Sequence, residues 1–484
     1  MRSGVRCRLT AAISALAWCC PALADSTGSP LAQDSSLPNL PAYLRLITDW
    51  GGVRSKLERD GVQFIFRYYG DAFANPSGGV KQGPGYDGRF SAIVDADLDK
   101  LLHWSGAAFH VSAQQIHGTQ YSATNLDNLM TVSGIEAMPS TRLFNLWMEQ
   151  KLGSQINIRY GQFTAGQEFL VSDTANLFVN ATFGWPVLPA QDLPSGGPAY
   201  PEATPGVRFQ FKPNDKVTLR AAAFNGNPAG PGTGNPVARD PFGVAFRVDQ
   251  PPFFIVELAY EYGEEPTEER RENPNQEEEE EYKLHRGYRP VPNAGLPGTI
   301  KVGAWLHTGT FADERFNTAG GLLAVSGGTP LDHSGNYAVY GIWDQTLWQV
   351  GHRELNVFLR GSAAPADRNL IDLYADGGVT FKGLLPTRPD DTIGLGFAFG
   401  RVSPQAAAYD RELIAATGVA MPVRDFEAAI ELTYQWLLAK NWYVQPNLQY
   451  IVHPGGNIGN PFVANAAPAI PNAFVFGLRT MVQF

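Results

Sequence analysis

Cysteine is nearly missing from this chain: Cys7, Cys19 and Cys20 are the only three in 484 residues, and all fall within the first 24. If those 24 are removed on export, what remains has no thiol, no disulfide and no cysteine-ligated metal. Charge is also scarce, at 17% of residues, against about 25% in ordinary soluble domains. Positive charge is the scarcer sign, and the formal net charge is −10. That excludes a nucleic-acid partner, whose phosphates require a basic stripe. After residue 24 no apolar run approaches the roughly 20 residues a membrane-spanning helix needs. The eight histidines are scattered without metal-ligand spacing, so neither a metal nor a cofactor is expected. Glycine (51), proline (36) and aromatics (12%) are plentiful instead. This composition excludes a coiled coil, a disordered scaffold and a helical bundle. It leaves one large all-β barrel or two to three soluble domains.

The first 24 residues read as an export signal. Arg2, Arg6 and Arg8 precede a mostly apolar stretch from Leu9 to Cys20, and Ala22-Leu23-Ala24 offers small residues for cleavage before Asp25. Bulky Trp18 before Cys19 argues against a lipoprotein. Cleavage takes the net charge to −13, with 34 basic against 47 acidic residues. Of that excess, −8 lies between Glu261 and Lys283, where eleven glutamates meet Arg270, Arg271 and Lys283. Residues 263–297 therefore read as a self-repelling, solvated insert between two strands.

Along the rest of the chain the recurring pattern has period two over about ten residues, the signature of half-buried strands. In the last of these, Phe474, Phe476, Leu478, Thr480, Val482 and Phe484 share one face, opposite Val475, Gly477, Arg479, Met481 and Gln483. Its upstream neighbour sets Trp442, Val444, Leu448, Tyr450 and Val452 against Tyr443, Gln445, Asn447, Gln449 and His453. Trp and Tyr gather at strand ends, as in the aromatic girdles of membrane barrels, and the chain stops on an apolar strand residue, Phe484. In a soluble domain such an edge would invite aggregation. Sixteen strands are expected, beginning near Val62, Arg89, Ala107, Arg142, Ile156, Gly206, Val217, Phe253, Thr299, Tyr337, Glu354, Ile371, Thr392, Phe426, Trp442 and Ala473. An even number leaves both termini on the periplasmic side. Gly243–Asp249 could form another strand but is read as loop. Short turns (Leu152–Gln155, Lys212–Lys216, Val350–Arg353, Ala439–Asn441) then alternate with long connections (Thr164–Pro205, Gly226–Pro252, Gly309–Asn336). The expected fold is an all-β, transmembrane antiparallel barrel over residues 62–484. Ahead of it, residues 25–61 form a periplasmic segment ending in a short helix, Trp50–Gly61, with Trp50, Val53 and Leu57 on one face. That helix would either plug the mouth or pack on the rim.

Several blocks resemble the carbohydrate-selective porins of Gram-negative outer membranes, the OprB type, over nearly the whole mature length. Asp49-Trp50-Gly51-Gly52-Val53-Arg54, with Leu57 and Gly61-Val62, is similar to that family's N-terminal block. Asp376-Gly377-Gly378-Val379-Thr380-Phe381-Lys382-Gly383, continuing through Arg388-Pro389-Asp390-Asp391 to Gly394 and Gly396, resembles its most distinctive stretch. Asp344-Gln345 and Gln445-Pro446-Asn447-Leu448-Gln449-Tyr450, followed by Pro454-Gly455-Gly456, are also similar. Asn447 stands where an acid is expected, which removes one lumen charge. The resemblance implies passive, selective diffusion of mono- or oligosaccharides in the outer membrane. The implied partners are carbohydrate solutes, outer-membrane lipid and the assembly machinery that reads Phe484; monomer and trimer both stay open.

Physically, a sixteen-stranded barrel encloses water, and selectivity must come from whatever narrows it. Residues 164–205 are the candidate constriction loop, carrying Phe169, Phe178, Phe183, Trp185 and Tyr200 beside Glu168, Asn180 and Gln191. Aromatics suit the C–H faces of a sugar and polar groups its hydroxyls. An external loop packing on itself would carry the same residues. Alternation turns Arg67, Asp95, Asp97, Arg159, Glu257, Asp344, Arg360, Glu427, Glu431 and Arg479 inward, since Arg or Lys facing mid-membrane lipid costs roughly 2–4 kcal/mol. Arg159 and Arg360 are the first choices for sugar contacts. Catalysis is not supported: no Gly-x-Ser-x-Gly elbow exists, Gly394, Gly396 and Gly400 lie inside a strand pattern, and Asp390-Asp391 reads as a turn. The rival functions are a porin for aromatic or organic acids and a closed structural barrel.

Overall fold

The computed structural model describes residues 49–263, 295–463 and 468–484. The expected export signal, the stretch ahead of Asp49 and most of the glutamate-rich insert lie outside the described residues. Sixteen antiparallel strands form one closed barrel, each paired to its chain neighbours and the last to the first. They are β1 (Val62–Ser77), β2 (Gly83–Asp97), β3 (Ala107–Gly118), β4 (Ser140–Leu152), β5 (Ile156–Phe163) and β6 (Thr204–Asn214). Next come β7 (Val217–Asn225), β8 (Pro252–Tyr262), β9 (Gly298–Asn317), β10 (Pro330–Val350) and β11 (Arg353–Ala363). The circuit ends with β12 (Ile371–Lys382), β13 (Thr392–Val402), β14 (Phe426–Ala439), β15 (Trp442–Val452) and β16 (Ala473–Gln483). Phe484 completes the seam by exchanging both backbone hydrogen bonds with Phe66, at 2.8 and 2.9 Å. Closure joins the first strand to the last and so removes the sheet's two free edges, the condition for a sheet to sit in hydrocarbon.

The alternation sorts the faces as the sequence implies. Phe476 and Leu478 are each 49% exposed on the outside, while Val475 and Met481 are fully enclosed. His453 departs from it. The chain turns left-handed there (φ 51°), and the ring lies against Phe426 with Nδ1 2.9 Å from Asp425. Two strands begin earlier than expected, β2 at Gly83 and β10 at Pro330. The second shift matters more, because β9 and β10 pair as far as Asn317 and Pro330, so much of the expected Gly309–Asn336 loop is ladder. Its residues are polar enough to read as loop. They hold as strand because Arg315 pairs with Glu412 on the helix Pro404–Thr417, and Asp313 bonds His333 across the hairpin at 2.7 Å.

The N-terminal helix runs from Val53 to Asp60 and ends on Gly61, whose φ of 102° suits glycine. It packs on the outer rim rather than in the mouth. Trp50 meets Phe64 edge-on at 5.2 Å, and Arg54 Nη2 donates to the Phe64 carbonyl at 2.7 Å. Val53 stays exposed, so the expected three-residue apolar face is not buried as a unit. Tyr262 and Gly298, which flank the acidic insert, face each other in the ladder at the end that carries the short turns.

Candidate solute path

Between β5 and β6 the chain turns into the barrel and crosses to the far wall. The glycines of β13 admit it. A Cβ at Gly394 would lie 2.6 Å from Leu177, and one at Gly396 would lie 2.8 Å from both Phe178 and Phe183. Glycine inside a strand marks such close approach. The wall then grips the loop backbone. Leu170 N donates to Glu257 (3.1 Å), Ser172 Oγ to Asp344 (2.6 Å), and Val179 N and Asn180 N to the two oxygens of Glu431 (2.8 and 2.9 Å). In the other direction, Lys301 Nζ and Gln445 Nε2 each donate at 2.7 Å, to the carbonyls of Val171 and Leu177. Arg360 does most. Its fork takes Asp376 and donates to the carbonyls of Leu170, Thr182, Phe183 and Gly184. With its side chain fully enclosed, Arg360 cannot meet a solute. It is a loop anchor, which corrects the expectation of a sugar contact. Glu257, Asp344 and Glu431 are anchors of the same kind.

A second loop, residues 119–139, also folds inward, and sequence reasoning missed it. Glu427 accepts from Leu129 N (2.8 Å), Met130 N (2.6 Å) and Gly455 N (2.7 Å), while Gln449 Nε2 donates to Val132 O (2.8 Å). Glu427 thus holds this loop, not a solute. The available signal was composition: Tyr121, Leu126, Met130 and Val132 are all buried, and four such side chains do not belong in a solvated loop. Inside it, Glu136 Oε1 accepts from Ser122 N at 2.8 Å, while Oε2 is buried without a partner. Burial, with the Asp87 charge adding to it, pushes the Glu136 carboxyl up to about 8. An acid raised above its unfolded value of 4.5 binds more protons folded than unfolded. Its loop is therefore held best at low pH and loosens as pH climbs from 4.5 towards about 8. Protection of residues 119–139 against hydrogen exchange, corrected for the intrinsic rise of the rate with pH, should fall over that window, and Glu136→Gln should flatten the dependence. An unchanged pH profile in the variant would assign the effect elsewhere.

The wall formed by β2 to β5 is less occupied. There Arg159 lies 3.8 Å above the Trp147 ring, which also stacks on His110 at 4.7 Å. Arg159 bonds Glu149 (2.7 Å) and Glu168 (2.6 Å), and Arg208 closes the network onto both carboxylates. His110 bonds Asp95 at 2.7 Å, and Arg89 sits between the rings of Tyr69 (4.8 Å) and Tyr200 (5.1 Å). Arg159, His110 and Asp95 keep part of their surface in the lumen (19, 13 and 37% of the side chain), unlike the anchors. On the opposite wall, beneath the first loop, a polar cavity of about 480 Å³ is lined by Asn176, Thr299, Asn356, Thr380, Thr392 and Gln435, among others.

The remaining candidates fall outside this array. Arg67 bonds Gln483 across the seam (2.8 Å), and Arg479 forms a forked pair with Asp71. Asp97 is not a wall residue: β2 ends there, and its carboxylate caps the short helix Leu98–Leu102 through the amides of Asp99 and Lys100. Trp185 is half-buried within the first loop, with Nε1 donating to Gly196 O at 3.0 Å. Glu168 is buried between two arginines rather than open.

A closed sixteen-stranded barrel with an apolar outer belt and loops drawn into its lumen defines an outer-membrane diffusion channel. The model of the carbohydrate-selective porin, OprB family, matches residues 81–484, and the chain belongs to that family. It is a porin of the Gram-negative outer membrane, in a family of channels. It is 25% identical over 477 residues to Porin B of Pseudomonas aeruginosa, with 91% of each chain covered. Among solved structures, the high-pH structure of Pseudomonas putida OprB superposes with a TM-score of 0.74 at 22% identity, covering 90% of this chain and 97% of that one. The low-pH structure gives 0.51 at 16% identity over the same shares. These two likenesses carry the fold.

Proposed function

We propose that neutral mono- and oligosaccharides diffuse past the β2–β5 wall, with Arg159, Glu149, His110 and Asp95 exchanging hydrogen bonds with sugar hydroxyls. The partly exposed, mixed-sign array around Arg159 carries this reading, because the other candidate charges are spent on holding loops, bonding across the β1–β16 seam or capping a helix. Cations and anions there nearly balance, which suits an uncharged polyol and gives an ion little preference. Residues 164–203 and the loop 119–139 together act as the constriction. The hydroxyl- and amide-lined cavity under the first loop offers a second, weakly binding stop on the same route. Residues 1–24 serve as the cleaved signal, residues 25–61 as a periplasmic segment, and Phe484 as the residue read during assembly into lipid.

The test is single-channel conductance of the refolded, signal-free chain in a planar bilayer, titrated with glucose and maltose. Partial block by sugar with weak ion selectivity is the expected result. Arg159→Ala removes hydrogen bonds from a charged donor, each worth about 1.5–3 kcal/mol, so block should weaken at least about ten-fold. Open channels indifferent to both sugars would remove the Arg159 array from the route while leaving the barrel intact.

A further inference from the structure

The wall has a gap that another part of the chain fills. β5 pairs with β4 only up to Leu146↔Gln162, then turns into the lumen after Phe163, which frees the upper edge of β4. The connection between β7 and β8 supplies the missing partner. Leu143 N donates to Phe242 O at 2.9 Å, and Gln162 Nε2 donates to Gly243 O at 2.8 Å. Only glycine fits at that contact: φ is 64°, and a Cβ there would lie 2.1 Å from the Leu143 carbonyl. While Gly243 is buried against β4, the residues on either side of it are exposed. Phe242, Val244, Phe246 and Val248 are 65, 53, 43 and 79% exposed, an apolar series at every second position.

We infer that residues 242–248 are a lipid-contacting patch at the upper border of the barrel's apolar belt, where Phe242, Val244, Phe246 and Val248 reach into the hydrocarbon of the outer membrane's outer leaflet while their irregular backbone stays at the polar boundary. Height and continuity both support that occupant. Leu143 is nine residues above Leu152, where β4 ends at the short-turn side. At about 2.5 Å of climb per residue for a tilted strand this is about 22 Å, close to the top of an apolar band about 25 Å tall. The neighbouring outer faces of β5 and β6 already present Tyr160, Val207 and Phe209, each 40–46% exposed, to the same lipid. Four large apolar side chains standing in water beside that belt would have no such explanation. The turn is therefore a substitute wall segment that lets β5 end early and release the constriction loop.

The mature chain's lack of cysteine makes the test direct. Single cysteines at Phe242, Val244 and Val248, with Val207 as the lipid control and Thr233 as the water control, are labelled with an environment-sensitive fluorophore after refolding into vesicles. Thr233 is exposed within the same connection between β7 and β8. With brominated acyl chains, labels at 242, 244 and 248 should lose more than half their fluorescence, as at 207, and resist aqueous iodide. Quenching by iodide and not by brominated lipid would overturn the inference. So would self-quenching that grows with protein-to-lipid ratio, since a second copy would then cover the patch. Val248→Cys keeps the test sound if Phe242→Cys disturbs the wall, because the Val248 side chain is almost wholly exposed.

Discussion

Arg360→Ala should give a channel of roughly doubled conductance with poorly retained sugar block. Arg360 is the largest single tie on the inward loop: one guanidinium donates to Asp376 and to four backbone carbonyls between Leu170 and Gly184. Removing one partner of an enclosed ion pair costs about 3–5 kcal/mol, because the other charge stays buried and unpaired. Here the orphan is the Asp376 carboxylate, and the four carbonyls lose their donor as well. The strain should fall on the loop rather than the barrel, since the ladder between β11 and β12 is made by backbone groups that the substitution leaves alone. The measurement is paired: single-channel conductance, and urea unfolding followed by tryptophan fluorescence. Arg360→Lys keeps the charge but not the fork, and should fall between wild type and alanine. If conductance and sugar block stay at wild-type values in Arg360→Ala, the loop is not held by this residue.

Much of the architecture was legible because a barrel strand has to alternate. A charge on the lipid side is expensive, so parity alone turned Glu257, Glu427, Glu431, Arg360 and Arg479 inward correctly. What those charges do was not legible. Arg479 apart, they bond backbone amides and carbonyls of two loops, and every residue has those groups, so nothing in the sequence marks which loop group meets which wall charge. This is why Arg360, a natural choice for sugar binding by composition, turned out to be sealed. The signal that was available lay in β13: Gly394, Gly396 and Gly400 all face the lumen, and each stands where a loop side chain comes within 2.8 Å of a built Cβ. The polar β9–β10 extension was hidden for the opposite reason, since a strand outside the membrane has no apolar face to declare it.

The second large effect is expected at the seam where the chain's two ends meet. Asp71 on β1 and Arg479 on β16 are register partners. They form a forked pair at 2.7 and 2.8 Å, with Asp71 fully enclosed and Ser133 of the second inward loop donating to it at 2.6 Å. Arg479→Ala should destabilise the refolded protein by about 3–5 kcal/mol, since it strands a buried carboxylate with one hydroxyl for company. Replacing both members, Asp71→Leu with Arg479→Met, removes the charge along with its partner and should recover most of that loss. Recovery in the double variant would show that the single variant's cost is the orphaned charge rather than the lost attraction. A loss confined to fraying would instead persist in both, because Phe484 and the Arg67–Gln483 contact, lower on the same seam, are untouched. The same comparison reports on the second loop. Arg479→Ala keeps Ser133 bonded to Asp71, whereas the double variant cuts that tie. Hydrogen exchange over residues 119–139 should therefore rise more in the double variant even as overall stability returns. A single variant within about 1 kcal/mol of wild type, the usual range for an exposed pair, would mean that water reaches Asp71 and that the seam is held by its ladder alone.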